Sequence, residues 1–200
     1  MPVQLRSRLV FIRHGETDWN AAGRLQGQKD IPLNPRGRDQ AAACGRAVRK
    51  LVGSAAALAE FDFFASPLLR TRQTMEIARA EMGLDAQPYA MDDRLKELTF
   101  GTWEGLTWRD VVERSPVDAA ARSADKWGFA PPAGESYAML CERVKPWLRT
   151  LAGDSVVVSH GGVARAFLHL LADWRPDEAA AADIWQGRAL IFEAGGARWL

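Results

Sequence analysis

The residues best suited to chemistry near the start of the chain are Arg13, His14 and Gly15, which follow an apolar run at residues 9–12. Arginine carries a fixed positive charge in a planar fork that suits phosphate or carboxylate. Histidine has a ring nitrogen that can act as a nucleophile or as an acid–base group near neutral pH, and glycine lets the backbone approach a ligand closely. These residue types also fit an ordinary polar turn after a strand, so this stretch alone leaves both interpretations open.

A second histidine has an equivalent place later in the chain. The apolar run at residues 156–158 leads to His160, Gly161 and Gly162, and a helical pattern follows. In open α/β sheets, ligands bind in the crevice outside the carboxyl ends of the strands. Because both histidines follow buried strands, we expect them to converge in one crevice.

Two more polar residues complete the candidate set. Arg70 falls in the first turn of a helix predicted to start at Ser66-Pro67, where a positive charge opposes the helix dipole unless an anion binds there; the alternative is an arginine that reaches solvent or pairs with a carboxylate. Glu97 can supply a proton to a leaving alkoxide, with Glu104 as a nearby competitor. Two arginines and two histidines suit a tetrahedral oxyanion, and they suffice for phosphoryl transfer without a metal.

The elements that must position these residues alternate between strands and helices, which is typical of an α/β fold. Residues 17–33 are predicted to form a loop, and residues 92–134, here named the excursion, are predicted to cover a sheet edge without forming a separate domain. The apolar patterns predict strands at residues 9–12, 61–65, 87–91, 154–159, 189–192 and 197–200, and helices at residues 35–55, 66–82, 107–114, 136–151 and 161–171.

Composition excludes several classes of function. The chain has 200 residues, 48% hydrophobic, with a formal net charge of +1, which fits one globular domain and gives no support to nucleic-acid or membrane-surface binding. No apolar run could span a bilayer, and residues 1–8 lack the apolar core of a signal peptide. Cys44 and Cys141 fall in helical patterns without metal-ligand spacing, so we expect reduced thiols, a cytoplasmic location, no metal and no cofactor.

A series of motifs resembles the histidine phosphatase superfamily, the phosphoglycerate mutase-like proteins that carry an RHG motif. A single RHG triplet would be a weak signal, but the whole series in the family's order is highly specific and covers nearly the whole chain. The matching segments are residues 13–17, 25–37, 66–74, 97–105, 134–136 and 159–162.

The resemblance implies a three-layer α/β/α sandwich around a mixed, mostly parallel sheet, in a single domain of residues 1–200 whose excursion covers the site. It implies that His14 is the nucleophile, with its second ring nitrogen donating to a backbone carbonyl, and that Glu97 protonates the leaving oxygen and then activates water. Arg13, Arg70 and His160 would hold the phosphoryl oxygens. The other implied phosphate- or substrate-binding residues are Thr17, which could equally be a helix cap, and Asn20, Gln26, Gly27 and Gly161.

The function implied is that of a phosphomonoesterase, of the histidine-type acid or broad-specificity kind, acting on a small phosphorylated metabolite, with a homodimer left open. The alternatives are a cofactor-dependent phosphoglycerate mutase, a specific α-ribazole or phosphohistidine phosphatase, and a non-catalytic binder. Mutases of the family resemble one another in a lysine after the acid motif and a later arginine pair. Trp108 takes the lysine position here and residues 107–134 hold no arginine pair, which favours hydrolysis. Trp103 and Trp108 fit either a pocket wall or the core.

Overall fold

The sheet has six strands in the order β3-β2-β4-β1-β5-β6. A computed structural model describes Leu5, residues 7–194 and residues 196–200; residues 1–4 and 6, part of the N-terminal stretch that lacks a signal-peptide pattern, lie outside this description. Pairing is parallel for β1–β4, β2–β4 and β2–β3, and antiparallel for β1–β5 and β5–β6. The strands are β1 Leu9–Arg13, β2 Asp62–Ala65, β3 Ala90–Met91, β4 Ser155–Ser159, β5 Ala189–Glu193 and β6 Gly196–Trp199.

Helices connect these strands and cover both faces of the sheet. Asn34 caps the second helix by accepting from the Gly37 amide, with Pro35 at its first position, as the sequence predicts. The helices are α1 Asp18–Ala21, α2 Pro35–Val52, α3 Ala55–Ala59, α4 Leu69–Glu81, α5 Trp108–Arg114, α6 Pro116–Ala124, α7 Tyr137–Leu148, α8 Gly161–Ala172 and α9 Pro176–Ala181, with 3₁₀ turns at Asp93–Leu95 and Gly101–Trp103.

Alternate side chains of β1 enter two separate cores. Leu9 and Phe11 pack in a cluster with α7 and α8, whereas Val10 and Ile12 pack in a cluster with α2 and α4. Successive side chains of a strand point to opposite faces, so an unbroken apolar run requires helices on both sides of the sheet. The predicted three-layer sandwich around a mixed, mostly parallel sheet is confirmed.

Several predicted boundaries are wrong. Helix α2 ends at Val52 because Gly53 adopts a φ of 92°, and Ser54 then caps a new helix, so Ala55 belongs to α3. Helix α4 begins at Leu69, and its N-cap residue Leu68 makes no side-chain cap bond, so Ser66 does not cap it. The segment predicted as a loop contains α1, and α6 and α9 have no counterpart in the predicted pattern. Helices α6 and α9 are short, contain several alanines and bury few side chains, so their sequences show little of the apolar periodicity that predicts a helix.

The excursion carries a small apolar cluster of its own. Trp103, Val111 and Ala119 are buried together there. The excursion also joins the loop after β1, because Arg24 pairs with Thr107 in an antiparallel bridge and the Leu25 amide donates to the Leu106 carbonyl at 2.9 Å. This connection holds the excursion at the edge of the sheet where β1 ends.

Candidate active site

His14 is the first residue after β1, and its position and tautomer are both set by backbone groups. Its amide donates to the carbonyl of Ser159, the last residue of β4, at 2.9 Å. Its Nδ1 lies 2.7 Å from the Gly15 carbonyl oxygen. A carbonyl can only accept, so Nδ1 carries the proton and the lone pair lies on Nε2. The ring therefore has a nucleophilic nitrogen fixed in one orientation.

Position 15 must be a glycine because the backbone at the start of α2 packs directly against it. A Cβ atom at position 15 would lie 2.1 Å from the Gly37 carbonyl oxygen, which no side chain could tolerate. The Gly15 amide donates to Thr74 Oγ1 at 3.1 Å, and that hydroxyl donates to the Arg70 carbonyl at 2.8 Å. The turn that carries His14 is thus held between α2 and α4.

Arg70 is buried and Arg13 is partly buried, and backbone carbonyls hold both guanidinium groups. The Arg70 guanidinium donates to the carbonyls of Gly27 and Lys29, both at 2.8 Å, and Arg13 donates to the Ile184 carbonyl at 2.7 Å. The Nε atom of each arginine is buried without a hydrogen-bond partner. Burial lowers the pKa of both, that of Arg70 to about 10, but guanidinium groups stay protonated in proteins at neutral pH. Their unused N–H groups suit an anionic ligand.

His160 lies beside His14, with ring centroids 5.2 Å apart. Its Nε2 is 2.8 Å from Ser66 Oγ, and its Nδ1 is buried without a partner. Burial, followed by the positive charge of Arg70, holds the pKa of both histidines well below the usual range. Both rings are therefore neutral at physiological pH, the state in which His14 Nε2 can attack phosphorus.

Glu97 faces the first turn of α8. The Gly162 amide donates to both carboxylate oxygens at 3.1 Å, and a Cβ atom at position 162 would lie 2.2 Å from Glu97 Oε1. Its competitor Glu104 instead accepts from the Gln28 amide at 3.0 Å and from the Thr99 hydroxyl at 2.8 Å. Glu104 therefore holds two loop segments together, whereas Glu97 lines the same cavity as His14.

This cavity of about 170 Å³ collects most of the residues predicted for the site. Two predicted residues do not line it: Thr17 is buried in a capping box with Asn20, and His160 is fully buried beside the His14 ring. Trp103 and Trp108 do not line it either; Trp103 is buried in the excursion and Trp108 is 37% exposed. A larger cleft of about 520 Å³ at the β3 edge lacks this set of residues. The predicted residues that line the smaller cavity are Arg13, His14, Asn20, Gln26, Gly27, Arg70, Glu97 and Gly161.

Comparison with known proteins identifies the family. The family model described as histidine phosphatase superfamily, branch 1, matches residues 9–199. The chain belongs to the histidine phosphatase superfamily. The motifs of this superfamily thus coincide with the residues that the fold gathers around His14.

Individual relatives carry different activities in their names. The chain is 33% identical to a glucosyl-3-phosphoglycerate phosphatase of Mycolicibacterium vanbaalenii, over 80% of this chain and 71% of that protein. It is 34% identical to a metal-independent phosphoserine phosphatase of Arabidopsis thaliana, over 80% of this chain and 66% of that protein. A crystal structure of a phosphoglycerate mutase from Thermus thermophilus superposes with a TM-score of 0.67 at 34% identity, over 92% of this chain and 91% of that chain.

Sequence reasoning missed three residues that position this histidine phosphatase site. Ser66, predicted as a helix cap, contacts His160 instead. Gln186 donates to the His14 carbonyl at 3.2 Å and to Asn20 Oδ1 at 3.1 Å. Arg143 donates to the carbonyls of Arg94 and Lys96 at 2.7 and 3.0 Å. The glutamate in the 134–136 motif was a usable signal for Arg143, because a half-buried carboxylate needs a cationic partner.

Membrane-spanning helices and clustered metal ligands are both missing from the described residues. No helix among them is long and apolar enough to cross a membrane. Residues 7–194 and 196–200, together with Leu5, contain no group of three or more histidines, cysteines, aspartates or glutamates arranged to hold a metal ion.

Proposed function

We propose that this chain is a phosphomonoesterase that hydrolyses small-molecule phosphate esters through a phosphohistidine on His14. The single observation that carries the proposal is the state of His14. Its ring is neutral and buried, and the Nδ1 proton is donated to the Gly15 carbonyl, so the Nε2 lone pair is available in the cavity that Arg13 and Arg70 also line. A nucleophile of this kind suits transfer of a phosphoryl group.

The first step forms a covalent intermediate. Nε2 of His14 attacks phosphorus, and the bond from phosphorus to the ester oxygen breaks. The leaving oxygen takes a proton from Glu97, so an alcohol departs instead of an alkoxide. Arg13, Arg70 and the Nδ1 side of His160 stabilise the charge on the phosphoryl oxygens.

In the second step Glu97 changes from proton donor to proton acceptor. Glu97 accepts a proton from water, the water oxygen attacks phosphorus, and the phosphorus–nitrogen bond to His14 breaks to release phosphate. Among the supporting residues, Asn20 has its Oδ1 occupied by Thr17 and Gln186, which leaves its amide Nδ2 for the phosphoryl group. Gln26, Gly27 and Gly161 line the remaining wall. We assign Thr17 to capping α1, so it acts by fixing Asn20.

Hydrolysis is favoured over mutase chemistry by the residue at position 108. The lysine expected there in a mutase is a tryptophan in this chain, so water is the proposed acceptor of the phosphoryl group. We infer a broad-specificity enzyme for small phosphorylated metabolites. Phosphate release from good phosphoesters should far outpace interconversion of 2- and 3-phosphoglycerate, even with 2,3-bisphosphoglycerate supplied; efficient interconversion with little phosphate released contradicts this assignment.

The decisive test is the substitution His14→Ala. Turnover of p-nitrophenyl phosphate and acid-labile labelling by a ³²P-phosphoester should disappear together, because both require Nε2. His169→Ala is the matched control, since that ring contacts the Trp174 carbonyl and the Trp127 ring outside the cavity. Retention of labelling in His14→Ala, or complete loss of wild-type activity in EDTA with recovery in Mg²⁺, counts against the mechanism.

A further inference from the structure

Three of the eight tryptophans of this chain line a second cavity, outside the candidate active site. Trp174, Trp185 and Trp199 line it together with Asp183 and four apolar residues, and we call it the tryptophan pocket. Its volume is about 310 Å³, and it shares no lining residue with the cavity of His14. A volume of this order lies at the lower end of the range for small-molecule sites.

The aromatic faces in the tryptophan pocket are largely unused within the chain. Among the described residues, the rings of Trp174 and Trp185 have no aromatic or cationic partner, and they are 39% and 50% exposed. The ring of Trp199 already holds a cation, because the Arg188 guanidinium lies 5.5 Å from its centroid. The face of an indole carries negative potential and attracts a cation. Two indoles of the pocket are therefore free to contact a positively charged ligand.

Asp183 gives the tryptophan pocket its charge preference. It is the only charged residue of the described chain that lines the pocket, and no ion pair in that part of the chain involves it. Covering an unpaired carboxylate with a neutral, apolar group costs free energy. The buried core of a protein interface is also depleted of charged residues. The carboxylate thus favours a small cation over a neutral molecule or a second protein chain.

The wall that carries Asp183 is held in place from its other side. The Ala182 carbonyl accepts from Arg165 Nε at 3.1 Å, and the Ile184 carbonyl accepts from Arg13 at 2.7 Å. Both chain neighbours of Asp183 are therefore anchored by hydrogen bonds. A site that is fixed before the ligand arrives loses less conformational entropy on binding.

We propose that the tryptophan pocket binds a quaternary or methylated ammonium cation, with its methyl groups against the indole rings and its charge beside Asp183. Such a cation combines apolar surface with a positive charge, which matches both kinds of lining group, and aromatic cages recognise it in this way. The pocket is separate from the cavity of His14, so this inference does not depend on the proposed phosphatase function.

The test compares two ligands of the same shape. Choline and 3,3-dimethyl-1-butanol differ in one central atom, which is a positively charged nitrogen in choline and a neutral carbon in the alcohol. Titrations of the full chain, followed through the indole N–H signals in ¹H–¹⁵N spectra at constant ionic strength, give both dissociation constants. Choline should shift the signals of Trp174 and Trp185 and should bind about tenfold more tightly than the alcohol.

Two substitutions at exposed side chains separate the contributions of the ring and the charge. Trp185→Leu keeps an apolar lining and removes one aromatic face, and Asp183→Asn keeps the shape and removes the carboxylate. Each should reduce the preference for choline over the alcohol by about threefold to tenfold. Trp108→Leu and Asp39→Asn, which lie outside the pocket, are the matched controls and should leave the preference unchanged.

Other occupants give different results. Equal affinity for choline and the alcohol, or indole signals of the pocket that do not move with choline, overturns the proposal. Sedimentation equilibrium tests a second copy of the chain: a dimer that Trp185→Leu converts to a monomer would assign these tryptophans to an interface and would also overturn it. The His14→Ala variant should bind choline as the wild type does, so a failure of this site and a failure of the proposed phosphatase reaction can be told apart.

Discussion

At the scale of single residues, the candidate site depends on neutral histidines beside charged arginines. Burial alone disfavours the imidazolium form, and Arg70 adds to the effect on the pKa, so His14 and His160 are neutral where a surface histidine would be partly protonated. Guanidinium groups resist deprotonation even when buried. The site thus combines an uncharged nucleophile with fixed positive charge, which suits attack on an anionic phosphoester.

Glu97→Gln removes the transferable proton and retains the size of the side chain. We expect kcat on alkyl phosphates to fall by about 10²–10⁴-fold, because the alcohol is a poor leaving group without protonation. The loss on p-nitrophenyl phosphate should be smaller, since nitrophenolate leaves readily. Glu104→Gln, which alters only loop contacts, provides the comparison. Equal losses on both substrates would make Glu97 a positioning residue.

At the scale of elements, the segment that carries Glu97 is held by Arg143 of α7, a residue that does not itself line the cavity. Arg143 of α7 forms a two-pronged ion pair with Glu135, at 2.9 and 2.7 Å, and donates to the Arg94 and Lys96 carbonyls. The Ser159 hydroxyl donates to the Leu95 carbonyl at 2.7 Å. The segment that carries Glu97 lacks the backbone hydrogen bonds of a helix or a strand. The hydrogen bonds from Arg143 and Ser159 hold it in place instead.

Arg143→Met should therefore impair the acid–base step without removing Glu97. We expect a drop in kcat on alkyl phosphates of about tenfold, with a smaller effect on p-nitrophenyl phosphate, and a loss of about 1–3 kcal/mol in the free energy of unfolding. Arg149→Met, on the exposed cap of the same helix, is the control. Steady-state kinetics and urea unfolding measure the two effects. A stability loss with no difference between the two substrates would limit Arg143 to a structural role.

At the scale of the whole molecule, the two buried neutral histidines should lower the free energy of unfolding in mild acid. His14 and His160 have lowered pKa values and are neutral in the folded chain, but they would be protonated in the unfolded chain below a pH of about 6.5. Below that pH the unfolded state binds more protons, so the free energy of unfolding falls as the pH falls. Asp92, Asp110 and Asp177 have pKa values lowered from 3.8, so their effect enters at more acidic pH.

Urea unfolding between pH 7.5 and 5.5 should show the free energy of unfolding decreasing as the pH falls. Each neutral histidine contributes up to about 1.4 kcal/mol per pH unit below its unfolded pKa. His160→Gln should reduce the slope of stability against pH by about half, whatever its effect on stability at pH 7.5. A wild-type stability that is flat across this range would show that the pKa values of the two rings are not lowered in the folded state.

The sequence by itself determined the central strands and the positions of the candidate catalytic groups at their ends. The apolar runs before His14 and His160 define strands buried on both faces, and such strands place the residues after them at one edge of the sheet. Asn34 and Pro35 likewise start α2 at the predicted residue, because a cap and a fixed φ act locally. These features depend on neighbouring residues, so a single sequence contains them.

Only the tertiary structure decided which distant groups meet. Ser66 contacts His160 across 94 positions and Arg143 reaches the carbonyl of Lys96 across 47. Arg122 stacks on Trp108 because α5 and α6 fold back on each other in the excursion. No local pattern encodes such contacts, since they depend on the crossing of packed helices and on where irregular loops lie. The candidate reacting groups are thus specified along the chain, whereas the contacts that support them arise from packing.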